Sequence, residues 1–227
     1  MGYRKEYCVT DNMCGYNRMI KPSGLLDILQ SVAGEHAEIL GIGYEALKEK
    51  GYAFVLARIK YDLYFPIPKY SKITVETTPL VPGRIDFDRD FEIYDADTNE
   101  LIGVATSKWI IIDLNTRKIC RSNVFTYPCY VREEGNYESF PKLEVNEDDL
   151  TNNYAYQVRN NDIDFIGHMN NTRYADMLLF NGVVKHFEIN FIHEVKLNDI
   201  LQVKHNFNKF VGYCDETVSF KAECTYF

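Results

Sequence analysis

The chain has 227 residues, of which 46% are hydrophobic and 14% aromatic, so it can bury one large core or two smaller ones. Its formal net charge of -8 makes it a poor candidate for nucleic-acid binding, which needs clustered Lys and Arg to neutralise phosphates. No apolar run is long enough to span a bilayer, and the first ten residues contain no signal peptide. We therefore expect a cytoplasmic protein with no membrane span and no nucleic-acid partner.

The six cysteines indicate reduced thiols rather than a metal centre. They form no C-x-x-C pair and no grouping with nearby histidines, so a zinc site is not expected. Without a secretory signal, free thiols in a reducing cytosol are the simplest interpretation. The sequence predicts no metal site and no cofactor.

The first half is predicted to contain one helix and then a sheet. Apolar residues recur at helical spacing from about residue 23 to 40, which gives a helix of about four to five turns. Ser23 is its predicted N-cap and Gly41 its predicted end. The apolar period then changes to two, which predicts strands at 57–63, 72–78, 85–95 and 101–114. A helix followed by closely connected strands indicates an antiparallel sheet wrapped around that helix.

The second half repeats this order of elements after a segment without periodicity. A short strand at 154–158 leads to a helix that begins near Asn170, and strands follow at 186–195, 199–207 and 216–227. We therefore predict an α+β protein with two copies of one unit, at residues 1–120 and 153–227, joined by a linker at 121–152. After its helix of only about three turns, the second copy has three predicted strands where the first copy has four, which suggests that this unit is incomplete.

The stretch DIDFIGHMNNTRY, residues 162–174, brings two acids, a histidine and two asparagines to the start of the second helix. The N-terminus of a helix offers unpaired N–H groups that stabilise negative charge. The alternative is a polar loop, in which Asp162 and Asp164 are turn residues and one of the asparagines is an N-cap. His36, on the apolar face of the first helix, is predicted to be packed rather than functional.

Several motifs in both halves resemble one enzyme family. They are GRIDFDRDFEI at 83–93, ATSKW at 105–109, D-x-x-T-R-K at 113–118, D-x-x-x-H-x-N-N-x-x-Y at 164–174 and NFIHEV at 190–195. The chain resembles the bacterial-type acyl-acyl carrier protein thioesterases, which are built from two tandem hotdog units, each an antiparallel sheet wrapped around a central helix. The resemblance implies hydrolysis of fatty acyl-acyl carrier protein thioesters to free fatty acid and carrier protein. It also implies an acyl-chain pocket in the first half and a catalytic motif in the second.

Thioester hydrolysis requires an activated water or nucleophile, a proton carrier and a stabiliser for the oxyanion. Asp164 is the first candidate base or nucleophile, and it could instead orient the other groups. We expect Phe165 and Ile166 to desolvate it partly, which would make it a better base. His168 could carry a proton or polarise the carbonyl, and Glu194 is a second candidate base. Supporting or oxyanion-stabilising roles are expected for Asn170 and Asn171, with the amides of residues 168–171.

Two positions depart from the family pattern. Ile166 stands where members commonly have Asn between the Asp and the His, so no role is assigned to that side chain. Val195 stands where plant members have Cys, which excludes a cysteine nucleophile there. The Ile166 departure leaves open a hotdog regulator that binds acyl thioesters without cleaving them. The stretch GHMNN also resembles single-hotdog acyl-CoA thioesterases, so coenzyme A is an alternative carrier, while a dehydratase ranks lower.

The implied partner is acyl carrier protein, with its phosphopantetheine thioester and fatty acyl chain. Carrier protein is acidic, as this chain is, so docking requires a local basic patch. Arg117, Lys118 and Arg121 in TRKICR are the candidate patch, and a solvated loop is the plainer interpretation. The sequence leaves the acyl chain length and the oligomeric state open, including a homodimer.

Overall fold

One continuous antiparallel sheet of ten strands organises the molecule in the computed structural model, which describes residues 2–127 and 131–227. The helices are α1 (Pro22–Ile39), α2 (Tyr44–Lys48) and α3 (Asn171–Met177). The strands are β1 (Tyr3–Cys8), β2 (Tyr52–Leu63), β3 (Lys72–Pro79), β4 (Asp86–Asp95), β5 (Leu101–Asp113), β6 (Asn152–Gln157), β7 (Val184–Phe191), β8 (Ile200–His205), β9 (Lys209–Cys214) and β10 (Thr217–Tyr226). Helices therefore accompany a purely antiparallel sheet, and the predicted α+β class is confirmed.

The second half of the sheet repeats the first half strand for strand. From one edge the order is β1-β3-β4-β5-β2, and from the other edge it is β6-β8-β9-β10-β7. The halves meet where β2 pairs with β7, from Arg58 opposite Asn190 to Asp62 opposite His186. Both predicted copies are present, but they share one sheet, so the domain boundaries at residues 120 and 153 stay a prediction.

The expectation of one strand fewer after the helix of the second copy is wrong, because one strand precedes the central helix and four follow it in each half. The sequence pattern missed β1, ahead of α1, and β9, which is short and interrupted by a glycine. A Cβ atom at Gly212 would overlap the ring of Phe220 on the neighbouring β10, so this glycine serves packing rather than a turn. Helix α3 is shorter than predicted, since it has seven residues rather than about three turns.

Helix α1 has nearly the predicted length but a different N-terminus. Lys21 is the N-cap and Pro22 occupies the first helical position, where its missing N–H costs nothing. Ser23 is therefore not the cap; it lies buried in the first turn and its hydroxyl donates to Asp176 of α3 at 2.5 Å. Gly41 follows the helix with φ of 69°, as a left-handed residue that ends a helix should.

The two faces of the sheet are covered differently. Apolar side chains of one face pack with α1 and α3 in the main core, in which Phe91, Phe187, Phe210 and Phe220 are almost fully buried. Residues 131–143 cross the opposite face, and we call this segment the outer strap. Its polar contacts with the sheet include Arg132 with Asp90 and Glu92, Asn136 with Asp90, Tyr137 with Asp62, and Leu143 with Asn190.

The outer strap explains the acidic face of β4. The alternating acids of GRIDFDRDFEI look solvent-facing in the sequence, but Arg132 binds Asp90 at 2.6 Å and Glu92 at 2.9 Å. The strap belongs to the predicted linker 121–152, of which residues 128–130 lie outside the described ranges. Within the described ranges, no helix has the length and hydropathy needed to cross a membrane.

Candidate active site

Asp164 organises the loop that precedes α3. Its Oδ1 accepts hydrogen bonds from the backbone N–H groups of Ile166, Gly167 and His168, at 2.9, 3.0 and 3.3 Å. Gly167 has φ of 94°, which only glycine adopts without strain, and this allows the tight turn around the carboxylate. Among the described residues Oδ2 has no hydrogen-bond partner, so one oxygen holds the loop and the other is available.

The expected desolvation of Asp164 by its apolar neighbours is wrong. Phe165 is 80% exposed and Ile166 is 42% exposed, so neither side chain covers the carboxylate. The Phe165 ring meets the edge of Tyr44 in α2, with ring centroids 5.1 Å apart. These two apolar residues therefore form part of the cavity rim, and Asp164 itself is half-buried.

His168, Glu194 and Arg117 form a chain of polar contacts. His168 Nε2 lies 3.1 Å from Glu194 Oε2, and Arg117 binds the other carboxylate oxygen, Oε1. Glu194 does not lie on a strand face as predicted, because β7 ends at Phe191 and Glu194 is in the following loop. The carboxylate thereby joins a histidine from the second half to an arginine from the first.

Asn170 and Asn171 differ in their hydrogen bonding. Asn170 is the N-cap of α3, and its Oδ1 accepts from the Thr172 N–H at 2.9 Å and from its hydroxyl at 3.0 Å. In the segment 166–172, all of which is described, the N–H of Asn171 alone has no hydrogen-bond partner. The helix is short, so this single amide, rather than a helix dipole, is the candidate donor to an oxyanion.

Asp162 has a structural position, in line with the turn-residue interpretation. It is buried, and its Oδ2 accepts from the Tyr156 hydroxyl at 3.0 Å and from the Arg159 N–H at 2.8 Å. His36 is also packed, as predicted. It lies buried with Nδ1 at 3.0 Å from Arg89, and burial followed by the Arg89 charge lowers its pKa to about 4.

One cavity of about 730 Å³ brings the predicted site residues together. Its wall includes the side of α1 that carries Gln30, Ala33, Gly34, Ala37 and Glu38. Small residues on that side leave room beside the helix. The predicted residues Asp164, His168, Asn170, Asn171 and Glu194 all line this cavity. The structure thus connects the polar motif of the second half with space beside the first helix.

Arg117 is the site residue that sequence reasoning misplaced. It was assigned to a docking patch, yet it lines the cavity and binds Glu194. Its position follows from the turn after β5, where Asp113 Oδ1 accepts from the N–H groups of Asn115 and Thr116 at 3.0 and 2.7 Å. Arg117 then takes a positive φ of 60°. The D-x-x-T-R-K motif was the available signal, because its Asp and Thr build the turn that presents the arginine.

Comparison with known proteins places both halves in the same group. The family model of the acyl-ACP thioesterase N-terminal domain matches residues 1–124, and that of the C-terminal domain matches residues 145–223. The chloroplastic oleoyl-acyl carrier protein thioesterase of Coriandrum sativum is 27% identical over 214 residues, which cover 86% of this chain and 57% of the coriander protein. The chain spans little more than half the length of that plant relative.

Solved structures show the same architecture. The crystal structure of an acyl-ACP thioesterase from Bacteroides thetaiotaomicron matches with a TM-score of 0.86 and 25% identity, covering 97% of this chain and 96% of that one. The 12:0-ACP thioesterase from Umbellularia californica matches with a TM-score of 0.84, covering 98% of this chain and 96% of its own. At 16% identity the second match is a likeness of fold alone. The expected hotdog architecture is confirmed by these structures.

Proposed function

Because the chain belongs to the acyl-ACP thioesterase family, we propose that it hydrolyses fatty acyl-acyl carrier protein thioesters to free fatty acid and carrier protein. The observation that carries this proposal is the shared cavity, which joins the Asp164 and His168 motif to the small-residue side of α1. A polar reaction centre that opens into a cavity bordered by small and apolar residues suits a thioester with a long acyl chain.

Asp164 is the residue to which we assign the attack. Hydrolysis forms a bond between oxygen and the thioester carbonyl carbon, after which the C–S bond breaks and the sulfur takes up a proton. Asp164 Oδ1 is fixed by three amides, so Oδ2 is held in one place, where it takes a proton from water or attacks the carbonyl itself. Direct attack would form an acyl–aspartyl anhydride as the thiol leaves, and water would then cleave it to free fatty acid and Asp164. Fixing the reacting oxygen in advance lowers the entropy cost of reaching the transition state.

His168 and Glu194 are assigned to proton transfer. Glu194 Oε2 lies 3.1 Å from His168 Nε2, a distance at which the carboxylate accepts a hydrogen bond from the imidazole and orients it. Imidazolium can then donate to the departing sulfur. Arg117 acts through Glu194 as a positioning residue, since it binds the opposite carboxylate oxygen. The unpartnered N–H of Asn171 is assigned to the oxyanion, and Asn170 supports it as the N-cap.

The first experiment measures thiol release from a panel of acyl-acyl carrier protein thioesters with the parent and Asp164 variants. Asp164→Asn keeps an Oδ1 that can accept the three amide hydrogen bonds but removes the negative charge. We expect Asp164→Asn and Asp164→Ala both to lose at least about a hundredfold in kcat, because the reacting oxygen is gone. Asp27→Asn, on the exposed side of α1, is the matched control and should retain the parent rate.

Three other outcomes of this experiment would change the assignment. An active Asp164→Asn beside an inactive Asp164→Ala would show that Asp164 only organises the loop, and would leave Glu194 as the base. Turnover of acyl-CoA with equal kcat/KM would make this an acyl-CoA thioesterase without carrier preference. Binding of acyl thioester without thiol release by the parent would support the non-catalytic regulator and would refute hydrolysis.

We place this activity in the cytoplasm. The five cysteines within the described ranges are Cys8, Cys14, Cys120, Cys214 and Cys224, and all are free thiols. Free thiols persist in reducing compartments. Acyl carrier protein is the proposed partner, and its acyl-phosphopantetheine arm would enter the cavity at the rim formed by Phe165 and Ile166.

A further inference from the structure

A second cluster of ionisable side chains lies outside the cavity, on the face of the sheet that the outer strap crosses. His186 and Glu188 are two residues apart on β7, so they point to the same face. Glu223 on β10 lies directly opposite Glu188. One ligand atom from each of these three residues lies within 4.8 Å of the other two. The cluster adjoins the β2–β7 junction, where the two halves of the sheet meet.

The imidazole of His186 is oriented by a carboxylate. Its Nδ1 lies 2.9 Å from Asp62 Oδ1, and an ionised carboxylate only accepts, so Nδ1 carries a proton. The lone pair of the neutral imidazole is then on Nε2, which lies 3.9 Å from Glu223 Oε1. Tyr137 of the strap fixes Asp62 in turn, donating its hydroxyl at 2.7 Å. A carboxylate that holds one imidazole nitrogen while the other faces acidic ligands is the arrangement that supports metal-binding histidines.

Among the described residues, His186 is the one basic side chain within ion-pair distance of a glutamate of this cluster, at 3.9 Å from Glu223. Like charges directly opposite each other in a sheet are destabilising, yet Glu188 faces Glu223 while only 8% exposed. Lys60 pairs with Glu188 across β2, but its ammonium lies 3.9 Å from the centre of the Tyr137 ring. No ion pair joins Lys60 to Glu188 in the part of the chain that the structure describes.

We propose that His186, Glu188 and Glu223 bind one divalent transition-metal ion, for which Zn²⁺ is the best match. One imidazole nitrogen and two carboxylate oxygens are ligands that Zn²⁺ accepts, with water as a fourth ligand. The ion would draw the three ligand atoms to about 2.1 Å from itself and neutralise the opposed glutamates. It would tie β7 to β10 and, through Asp62, to β2. The role is structural and separate from the cavity.

No pattern in the sequence indicates this site, because its ligands are on two strands that are distant in the chain. The test is calorimetric titration of the EDTA-treated full-length chain with Zn²⁺, repeated for Glu188→Gln, Glu223→Gln, His186→Ala and Asp62→Asn. Glu188→Gln keeps the oxygen that accepts from Asn190 at 3.0 Å, so the fold should persist. We expect one site in the parent, its loss in the three ligand variants, and about tenfold weaker binding in Asp62→Asn.

Two controls separate this site from other places where Zn²⁺ could bind. His168→Ala removes the histidine of the cavity and should leave Zn²⁺ affinity unchanged. Co²⁺ bound to the parent should show visible absorption without the thiolate charge-transfer band that cysteine ligands produce. Unchanged affinity in Glu188→Gln and Glu223→Gln would refute the proposal, as would loss of binding in His168→Ala or a thiolate band. Zn²⁺ should also raise the Tm of the parent but not that of Glu188→Gln.

Discussion

At the scale of single residues, Arg117 determines the geometry of a site that mostly belongs to the other half of the chain. Its guanidinium binds Glu194, whose second oxygen lies 3.1 Å from His168. Without this anchor the exposed Glu194 side chain would adopt several rotamers. We expect Arg117→Gln to lower kcat roughly tenfold to a hundredfold on a small acyl thioester, with a smaller change in KM.

The control for Arg117 is its neighbour Lys118, which is exposed and forms no ion pair with any described residue. Lys118→Gln removes the same charge and should leave kcat on the small substrate unchanged. Arg117→Lys should recover only part of the rate, because an ammonium cannot reproduce the planar fork of a guanidinium. A parent-like kcat in Arg117→Gln would show that Glu194 needs no anchor.

At the scale of elements, we expect the cavity-facing side of α1 to set how much of the proposed acyl chain fits. A Cβ atom added at Gly34 would meet nothing within 4 Å, so the space beside this glycine is open. We expect Gly34→Leu to fill part of that space and to shift thiol release towards shorter acyl chains. Gly34→Ala is the control: it should keep the chain-length profile and stabilise the helix by about 1 kcal/mol, measured by denaturant unfolding. An unchanged profile in Gly34→Leu would place the acyl chain elsewhere.

The elements also show what could be predicted from sequence and why. The long apolar repeat of α1 and the alternation of β2 to β5 are local signals, so the sequence predicts these elements within a residue or so at their ends, except that β2 begins at Tyr52 rather than Ala57. Strand β9 is not predicted because Gly212 interrupts its alternation of apolar residues. The glycine makes room for Phe220 on the neighbouring strand, and the sequence does not show that the two residues are neighbours. Glu194 was placed on a strand because alternation continues in the letters beyond Phe191, where the ladder ends.

The same distinction applies to the candidate site: groupings of residues close in the chain are predictable, and contacts between distant segments are not. The residues of DIDFIGHMNN are close in the chain, so their grouping is visible in the sequence, and the structure places Asp164, His168, Asn170 and Asn171 in one cavity. The contact between Arg117 and Glu194 joins the turn after β5 to the loop after β7, and no local pattern encodes it. The degree of exposure of Phe165 and Ile166 also depends on neighbours that are distant in sequence.

At the scale of the whole molecule, carrier docking must overcome the net charge of -8. Lys118 and Arg121 are exposed, and their turn adjoins the cavity through Arg117 and Ile119. We expect the double variant Lys118→Glu, Arg121→Glu to raise KM for acyl carrier protein substrates severalfold, with the effect shrinking at high salt. A small acyl thioester should be unaffected.

A charge-matched control keeps this docking test specific. Lys50→Glu combined with Lys185→Glu changes the net charge equally at two exposed positions outside TRKICR. It should raise KM for the carrier substrate much less. Equal effects of the two double variants, or equal effects on carrier and small substrates, would show that TRKICR is only a solvated turn.

The outer strap also has a consequence for the order in which the chain folds. It contacts Asp62 and Asp90 from the first half and Asn190 from the second, so its docking surface exists only after β2 and β7 have paired. The strap can therefore dock only late in folding, and its docking shows that both halves of the sheet have assembled. During refolding, residues 131–143 should become resistant to protease after the sheet signal has appeared in circular dichroism. Protection of this segment would then mark the completion of folding.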